Sequence, residues 1–538
     1  MVSAKHVNLL LIFFTAITIL SLWSLYIYRY APIIVVVALG LIYIASKKIT
    51  FDSEKISSTA IGIALLVAVL AAYPFFLNNF VDASADSAAH ISSLAIGSTM
   101  PETYAPFSNL EYRYQIGFPL LAKLFIDLLP FVSSNFLVWF LGVIFAFLSA
   151  VLIYLISKEI FKSEKAGLIG LALFVGSKIV FQNMYWGQYT FMLASVFFLA
   201  TFLAFYKKSK LAYLFFPMII VSHPGVAFYS FIFFALWLIF FRDQKRITKL
   251  VLSGLFVLPS FFISYIHFLN NLGAEETIAI TAEKIVANTI IFPLWVGLLI
   301  FIFVLIYLIL NVLKVKQFMP SDKDEVRLAG FLLSVFVASF LFYVFFSSSG
   351  RIIGGRIIEL SMFSGLFISV LVVNKFISSG LKISKFKIQF NHILVLIMLI
   401  SLFLFFTSGQ LDTLRNGSKI TPEGVDFAYA FKEFDSSYEK TFFLIPGHGK
   451  IAEISQKIPY DVMSSWYLSY DKRIAADDPF YLELIERHEF AEKTREEKCI
   501  SCLKQIDFYY LVSKEDYFSN ELGLKKVFEF REYMVFSK

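Results

Sequence analysis

Three ionisable residues recur every four positions in the segment 78–134, namely Asp82, Asp86 and His90. On a helix this spacing turns by about 40° per step, so the three side chains would share one face within an arc of about 80°. At a membrane interface, partial desolvation raises the pKa of a carboxyl group and makes it a usable general base. The pattern predicts proton abstraction by a carboxylate, although the same spacing also suits polar residues that only solvate a loop helix.

Aromatic and amide side chains close to this chemistry could hold a sugar. Tyr112 and Tyr114 lie later in segment 78–134, where tyrosine also packs a loop against lipid headgroups. Trp186 and Gln188 belong to a short interruption between two apolar runs. An indole ring there suits either stacking on a sugar or anchoring at the membrane interface, so both roles stay open.

Two arginines stand close together in a segment that otherwise has few cations. Arg351 and Arg356 flank a pair of glycines, and Glu359 follows Arg356 by about one helical turn. A planar guanidinium is well suited to hold a lipid phosphate. The alternatives are a salt bridge from Arg356 to Glu359 and an arginine that reaches out to lipid headgroups.

Two other short motifs admit a structural and a functional interpretation. His223 precedes Pro224 between two apolar runs, where a lone histidine is either a structural residue or a ligand-binding one. Cys499 and Cys502 form a single C-x-x-C late in the chain. Structural zinc sites need four ligands, so the motif favours a local disulfide or two inert thiols over metal or redox chemistry.

The composition places these residues in a membrane protein. The chain has 538 residues, of which 58% are hydrophobic and only 16% are charged. Soluble domains carry about 25% charged residues, so much of this chain belongs in lipid. The formal net charge of +7 could suggest a nucleic-acid partner, but its distribution indicates membrane orientation instead.

Apolar runs long enough to cross a bilayer, or nearly so, define the elements that must position the site. There are thirteen of them: 8–28, 31–46, 59–77, 135–157, 166–181, 188–206, 211–222, 225–241, 249–269, 289–313, 328–347, 358–374 and 390–408. They predict an all-α polytopic membrane bundle of about 13 transmembrane helices. Residues 117–129 predict an additional amphipathic helix that lies in the interface.

Loop charges test the number of spans independently, because cations concentrate on the cytoplasmic side of membrane proteins. Alternate loops carry Lys47, Lys48 and Lys55; Lys158, Lys162 and Lys165; Lys207, Lys208 and Lys210; Arg242, Lys245, Arg246 and Lys249; Lys314, Lys316, Lys323 and Arg327; Lys375, Lys382, Lys385 and Lys387. The intervening loops carry few cations. The alternation predicts a multi-pass protein of the cell membrane with a cytoplasmic N-terminus.

An odd number of spans then places the polar tail outside the cell. The predicted domains are two N-terminal transmembrane helices in 1–58, a transmembrane core in 59–408 with the outer loop 78–134, and a tail in 409–538. The tail predicts a helix at 421–434, where Pro422 suits the first helical position. Its short strands are predicted at 442–445, 508–512, 527–530 and 534–536. The sequence thus predicts a small C-terminal α/β extracytoplasmic domain.

The pattern Asp86-Ser87-Ala88-Ala89-His90, followed by Gly97, Pro101, Tyr112-x-Tyr114 and Gly117, resembles the class C (GT-C) glycosyltransferase superfamily. Protein O-mannosyltransferases and the catalytic subunit of oligosaccharyltransferase belong to that group. The resemblance implies transfer of a sugar from a polyprenyl- or dolichyl-phosphate carrier at the outer face. It further implies that Asp86 is the loop acid, as base or metal ligand, and that Arg356 holds the carrier phosphate.

The chain also departs from the characterised branches of that superfamily. The tail contains no W-W-D-Y-G sequence, and residues 182–188 lack the acids of oligosaccharyltransferases. Asp86 is followed by Ser87 instead of the glutamate of O-mannosyltransferases. The first two spans have no assigned counterpart, and the acceptor stays open between a glycan, a lipid and a protein.

The sequence thus predicts a glycosyltransferase in which Asp86 activates the acceptor, His90 and Asp82 support it, and Arg356 stabilises the carrier phosphate. The predicted partners are a lipid-linked sugar donor, an acceptor and membrane lipids, with no nucleic acid, and a divalent cation is compatible with the loop acids. The alternatives are a flippase for a lipid-linked sugar and a non-catalytic envelope assembly protein. The near absence of charge from the middles of the spans favours surface chemistry over transport.

Overall fold

A computed structural model defines the fold in a helical region that ends at residue 407 and a small sheet domain that follows it. The structure describes residues 3–24, 30–48, 54–77, 116–132, 134–175, 183–184, 187–260, 298–315, 323–346, 351–378, 382–383, 386–387, 390–407, 422–437, 439–445, 451–452, 455, 457–459, 490–491, 493–516 and 521–538. Most of the predicted outer loop, residues 78–115, lies outside these ranges.

Among the described residues up to 407, fourteen helices are longer than one turn: thirteen overlap the predicted apolar runs, and Gly117–Leu128 overlaps the additional helix predicted at 117–129. In chain order they are α1 (Ala4–Trp23), α2 (Ala31–Lys48), α3 (Ser58–Leu77), α4 (Gly117–Leu128), α5 (Ser134–Phe161), α6 (Glu164–Val175), α7 (Tyr189–Tyr206), α8 (Leu211–Ser222), α9 (Pro224–Phe241), α10 (Gln244–Ser253), α11 (Leu298–Val312), α12 (Lys323–Phe346), α13 (Arg351–Ser378) and α14 (Phe390–Thr407). In addition, Lys382–Ile383 (β1) and Phe386–Lys387 (β2) form a two-stranded antiparallel ladder between α13 and α14.

Six of the described helices are long and apolar enough to cross a bilayer, so the chain is a membrane protein. They fall within α1, α5, α7, α9, α12 and α13. Five more apolar helices are shorter: Ala31–Lys47, Ser58–Tyr73, Leu211–Ser222, Leu298–Val312 and Phe390–Phe403. The multi-pass helical bundle is therefore found, whereas the number of thirteen spans stays a prediction.

The predicted span 249–269 begins earlier than expected and is broken in its described part. α10 begins at Gln244, a 3-10 turn follows at Gly254–Val257, and a short helical turn ends at Ser260. α10 contains three cations, and for this reason its first residues were not part of the predicted apolar run. One of them, Arg246, donates from Nη1 to the carbonyl oxygen of Phe205 at 2.8 Å, which holds the start of α10 against the end of α7.

The cation-rich loops lie together at one end of the bundle. Lys158 Nζ lies 2.6 Å from Glu54 Oε1, and Lys207 Nζ lies 3.2 Å from Glu159 Oε2. The chain start joins them, because the backbone N–H of Ala4 donates to the carbonyl oxygen of Glu54 at 3.1 Å. These contacts join loops from three different pairs of helices. We call this the cationic end.

Later loops reach the same end. Lys165 lies 5.4 Å from the ring centre of Phe390, which joins the start of α6 to the start of α14. Lys375 Nζ pairs with Glu325 Oε1 at 2.8 Å, which joins α13 to the start of α12. The contacts described here agree with the grouping that loop charge predicted, whereas the membrane topology and the side that the cationic end faces stay predictions. We call the other end of the bundle the opposite end.

The C-terminal region contains the predicted α/β domain. A five-stranded sheet has the order β4-β3-β5-β7-β6, with β3 parallel to β4 and β5, and β7 antiparallel to β5 and β6. The strands are β3 (Lys440–Phe443), β4 (Ile458–Pro459), β5 (Tyr510–Ser513), β6 (Lys525–Phe530) and β7 (Tyr533–Ser537). Helix α15 (Pro422–Phe434) packs Phe427 and Phe431 against one face of the sheet. Of these strands, only β4 was not predicted, because a two-residue strand has no periodic signal.

The two cysteines form a disulfide within the tail. Cys499 and Cys502 are bonded across a three-residue separation and flank the start of the short helix α16 (Ile500–Leu503). The sulfur of Cys499 also accepts from the backbone N–H of Cys502 at 3.1 Å, as a helix-capping group. The structure thus selects the disulfide from the two alternatives that the spacing left open.

A buried lysine links the end of α15 to the sheet through hydrogen bonds. Lys457 Nζ has no exposed surface and donates to Asp435 Oδ2 at 2.8 Å and to the carbonyl oxygens of Asp435 and Ser437, each at 2.7 Å. It also lies 5.0 Å from the ring centre of Phe431 and 5.5 Å from that of Tyr510. All three ammonium protons are thus used, as burial of a charge requires.

Acid should weaken this contact. Burial would raise the pKa of Asp435, but hydrogen bonds from Lys457 and Ser437 outweigh it and hold the pKa of that carboxyl well below its usual range. A carboxyl with a lowered pKa stabilises the fold fully above its unfolded pKa of about 3.9, and this contribution is lost as the pH falls below that value. We expect amide protection of β3 and β5, corrected for intrinsic exchange, to decline below about pH 4. The decline should be smaller in Asp435→Asn, and an equal decline in that variant would contradict the assignment.

Candidate functional site

Three long helices begin at the opposite end and run in parallel towards the cationic end. α7 leads into Lys207, α9 into Arg242, and α13 contains Lys375 in its last turn. The ring centres of Phe198 in α7 and Phe233 in α9 are 5.1 Å apart, so these two helices are in contact along their aromatic faces. The starts of all three helices therefore surround one region of the opposite end.

Contacts between aromatic rings show how α7 and α13 are aligned along their lengths. The ring centres of Phe198 in α7 and Phe363 in α13 are 6.1 Å apart, and four residues later the next ring pair is 6.0 Å apart. Phe191 and Arg356 each stand seven residues earlier, which is about two helical turns and returns to nearly the same face. Arg356 therefore precedes this contact by about two turns, towards the start of α13.

The structure describes the helical backbone of Arg351, Arg356 and Glu359 but not their side chains. All three belong to the first turns of α13, at the opposite end, as the charge alternation predicted. The proposed phosphate contact and the alternative salt bridge from Arg356 to Glu359 both stay predictions.

His223 occupies the turn between α8 and α9. Its side chain is buried, with 3% exposure, and its ring meets that of Phe191 edge to face at 5.4 Å. Nδ1 accepts from the backbone N–H groups of Gly225 at 3.1 Å and Val226 at 3.4 Å, so His223 is the N-cap of α9. Pro224 at the first helical position is the sequence signal that could have predicted this cap.

A glycine turn sets the position of Gln188 at the start of α7. Gly187 has φ +64°, a conformation that side chains other than glycine disfavour. The turn is closed by the backbone N–H of Gln188, which donates to the carbonyl oxygen of Asn183 at 2.8 Å. Gln188 is buried, at 6% exposure, and its carbonyl oxygen accepts from Met192 in the first turn of the helix. Trp186 lies outside the described residues.

Helix α4 carries the chain from the outer loop back into the bundle. It was expected to lie in the interface, but its first eight residues, Gly117–Leu124, are all buried, and it contacts α1, α2, α5, α7 and α8. The ring of Phe118 stacks on that of Tyr189 at 5.4 Å, and Lys123 pairs with Asp127 at 3.2 Å. The prediction of an interfacial helix was wrong because other helices of the bundle enclose α4, and its Lys123 is buried in a pair with Asp127.

Gly117 packs directly beside the His223 turn. A Cβ atom on Gly117 would lie 2.7 Å from Ser222 Oγ and 2.9 Å from the carbonyl oxygen of Val221. Only glycine therefore permits this close approach of α4 to the end of α8. The chain that follows the predicted acidic loop thus returns to the bundle one residue away from His223.

Gly117→Ala should therefore destabilise the bundle by about 1–3 kcal/mol, because the backbone of α8 cannot move aside as a side chain could. The melting temperature in detergent, followed by tryptophan fluorescence, measures the effect. Gly62→Ala is the matched control, since a Cβ there would meet nothing within 4 Å and alanine favours a helix. A melting temperature of Gly117→Ala equal to that of the wild type would show that the close packing is not needed.

The opposite end thus contains Gln188, His223 and the start of α13. Asp82, Asp86, His90, Tyr112, Tyr114 and Trp186 lie outside the described residues, so their predicted roles stay predictions. Phe191 and Ser222, which contact His223 or adjoin it, carried no sequence signal because both lie within apolar runs.

Within the described ranges there is no group of three or more His, Cys, Asp or Glu residues that could hold a metal ion. The loop acids Asp82 and Asp86, with His90, fall outside those ranges. A divalent cation therefore stays part of the functional proposal only through these loop residues.

Known protein-family models do not match this sequence, and no curated protein shows significant similarity to it. Among solved structures, the chain is similar to a crystal structure of the Archaeoglobus fulgidus oligosaccharyltransferase, determined in complex with zinc and sulfate. The TM-score is 0.44 and the sequence identity is 13%, over 84% of this chain and 67% of that one.

Proposed function

We propose that this protein is a membrane glycosyltransferase that moves a sugar from a polyprenyl- or dolichyl-phosphate carrier onto an acceptor at the outer membrane face. The sequence support is the Asp86-x-x-x-His90 pattern and its resemblance to class C glycosyltransferases. The structural observation that supports it most directly is the close approach of Gly117, which follows the acidic segment in sequence, to Ser222 beside His223. The start of α13, with Arg356, lies at the same end.

The proposed reaction is a single displacement at the anomeric carbon. Asp86 accepts the proton of the acceptor hydroxyl, and the hydroxyl oxygen forms a bond to the anomeric carbon. The bond from that carbon to the carrier phosphate breaks, and the phosphate leaves with the electron pair. Arg356 stabilises the charge that develops on the phosphate, while His90 and Asp82 support the base.

The direct test is sugar transfer by the purified protein in lipid bilayers. Radiolabelled polyprenyl-phosphate sugars are supplied with membrane and envelope extracts as acceptors, and labelled products are separated from the donor. Formation of a new glycosidic bond is the expected result. A parallel reaction with chelator, followed by added Mn²⁺ or Mg²⁺, shows whether the loop acids act with a cation.

The alternatives make different predictions in the same vesicles. A flippase would move the labelled donor across the bilayer without any new bond, and an assembly protein would neither move nor consume it. Absence of both transfer and donor hydrolysis across a broad donor panel would therefore reject the glycosyltransferase proposal.

A further inference from the structure

The segment 242–249, which joins α9 to α10, contains more positive charge than the structure neutralises. Its ionisable residues are the cations Arg242, Lys245, Arg246 and Lys249 and the acid Asp243. Asp243 pairs with Arg246. Lys245 and Lys249 are exposed, and neither pairs with an acid among the described residues. This part of the cationic end therefore presents two unpaired ammonium groups at the surface of the bundle.

Two hydrogen bonds show how α10 and the 3-10 turn after it run along the bundle. Arg246, in the first turn of α10, donates to the carbonyl oxygen of Phe205 at the cationic end. In the 3-10 turn, the carbonyl oxygen of Phe256 accepts from Trp23 Nε1 at 2.7 Å. Trp23 is the last residue of α1, which begins at the cationic end. The segment therefore runs from the cationic end towards the opposite end, which in a membrane protein leads from the headgroup region into the hydrocarbon.

One side of this segment is charged first and apolar afterwards. Lys245, Lys249 and Leu252 recur at spacings of four and three residues, so they share one side of α10 within an arc of about 60°. Leu252 and Phe256 are each 57% exposed, whereas Leu250 is buried where α10 packs against α8. We call Lys245, Lys249, Leu252 and Phe256 the α10 strip.

We propose that the α10 strip binds an anionic phospholipid of the leaflet that contains the cationic end. The ammonium groups of Lys245 and Lys249 contact the phosphate, and an acyl chain lies along Leu252 and Phe256. The order of the groups matches such a lipid, because Leu252 lies about 4.5 Å further along the helix axis than Lys249. A zwitterionic headgroup carries its own cation, so two unpaired lysines favour a headgroup with net negative charge.

Native mass spectrometry of the delipidated full-length protein in detergent measures this binding. The probes are phosphatidylglycerol and phosphatidylcholine with identical acyl chains. The wild type should bind phosphatidylglycerol about 10- to 30-fold more tightly than phosphatidylcholine, the effect expected of two lysines at a membrane surface. In Lys245→Gln combined with Lys249→Gln, the two affinities should become nearly equal.

Lys208 and Lys210 provide a matched control. Both are exposed at the cationic end, and replacing both by glutamine removes the same charge from the protein. The residues that follow them, Leu211 and Ala212, are buried, so no exposed apolar side chain comes directly after this pair. Lys208→Gln combined with Lys210→Gln should therefore keep the wild-type preference for phosphatidylglycerol.

The apolar half of the strip has its own variant. Leu252→Ser removes exposed apolar surface but no charge, so it should weaken the binding of both phospholipids alike and leave the preference unchanged. All substituted side chains are exposed, and the melting temperature in detergent should stay that of the wild type in each variant.

Four results would overturn the proposal. A wild type without preference for phosphatidylglycerol would remove the site. An equal loss in the two lysine pairs would assign the preference to the overall charge of the cationic end. Displacement of phosphatidylglycerol by an equal concentration of a polyprenyl monophosphate would make the lipid carrier the occupant. A dimer that Leu252→Ser dissociates would assign the strip to a second copy of the chain.

These measurements do not depend on sugar transfer. Absence of transfer would reject the glycosyltransferase and leave the phospholipid site intact, and loss of the lipid preference would do the reverse.

Discussion

Replacing Lys457 by methionine is expected to destabilise the C-terminal domain by about 3–5 kcal/mol, the usual effect of removing one partner from a buried ion pair. The substitution leaves the Asp435 carboxylate and two carbonyl oxygens without the ammonium that satisfies them. Hydrogen exchange of the full-length protein in detergent measures the effect through the amides of β3 and β5. Their protection should fall while that of α7 and α9 is unchanged.

The matched control is Lys526→Met. Lys526 pairs with Glu529 at 2.7 Å on the surface of β6, and exposed pairs of this kind contribute about 0–1 kcal/mol. A second variant tests the mechanism: Asp435→Asn combined with Lys457→Met removes both charges and should recover part of the lost protection. Protection as low in the double variant as in Lys457→Met would mean that packing, and not the unpaired carboxylate, causes the loss.

Replacing Asp86 by asparagine is expected to reduce sugar transfer by a factor of about 100 to 10,000, the range that general-base catalysis contributes. The amide cannot accept the acceptor proton but occupies the same volume, so the fold and the affinity for the carrier should persist. The measurement is the initial rate of transfer at saturating donor, together with the melting temperature of the variant.

An aspartate at the far end of the bundle is the control. Asp324 is 90% exposed in the first turn of α12, near the cationic end, and Asp324→Asn should retain the wild-type rate. Full activity in Asp86→Asn would remove Asp86 from the mechanism. If the rate of sugar transfer and the melting temperature both fall in Asp86→Asn, Asp86 is instead a structural residue.

Long apolar runs and loop charge predicted most of the helical region, because both are local consequences of the bilayer. The charge alternation placed the loops that contain Lys55, Lys158 and Lys207 on one side, and in the structure Glu54, next to Lys55, pairs with Lys158 and Lys207. The helix at 422–434 followed from Pro422, and four strands of the sheet followed from short apolar runs.

What the sequence could not predict depended on contacts between distant elements. The start of α10 was missed because Lys245 and Arg246 break the apolar pattern, although Arg246 is held by the carbonyl oxygen of Phe205. The burial of α4 was missed because an amphipathic pattern does not state whether lipid or protein covers the apolar face. The role of Lys457 depends on Asp435 and Ser437, which lie about twenty residues earlier and have no pattern in common with it.

The cross-linked cationic end has a consequence for how the protein is made. Lys158 and Lys207 are paired with Glu54 and Glu159 in the finished fold, so little of their charge remains unbalanced there. Lysine and arginine in short loops set the orientation of the helices in the membrane, and acidic residues contribute little to it. The same lysines would thus first set the orientation of the newly made chain in the membrane. In the folded protein they would hold the helices together through ion pairs. A charge-swapped pair, with Lys158→Glu and Glu54→Lys, would keep the ion pair in the folded protein. It would remove the cation that orients the hairpin containing α5.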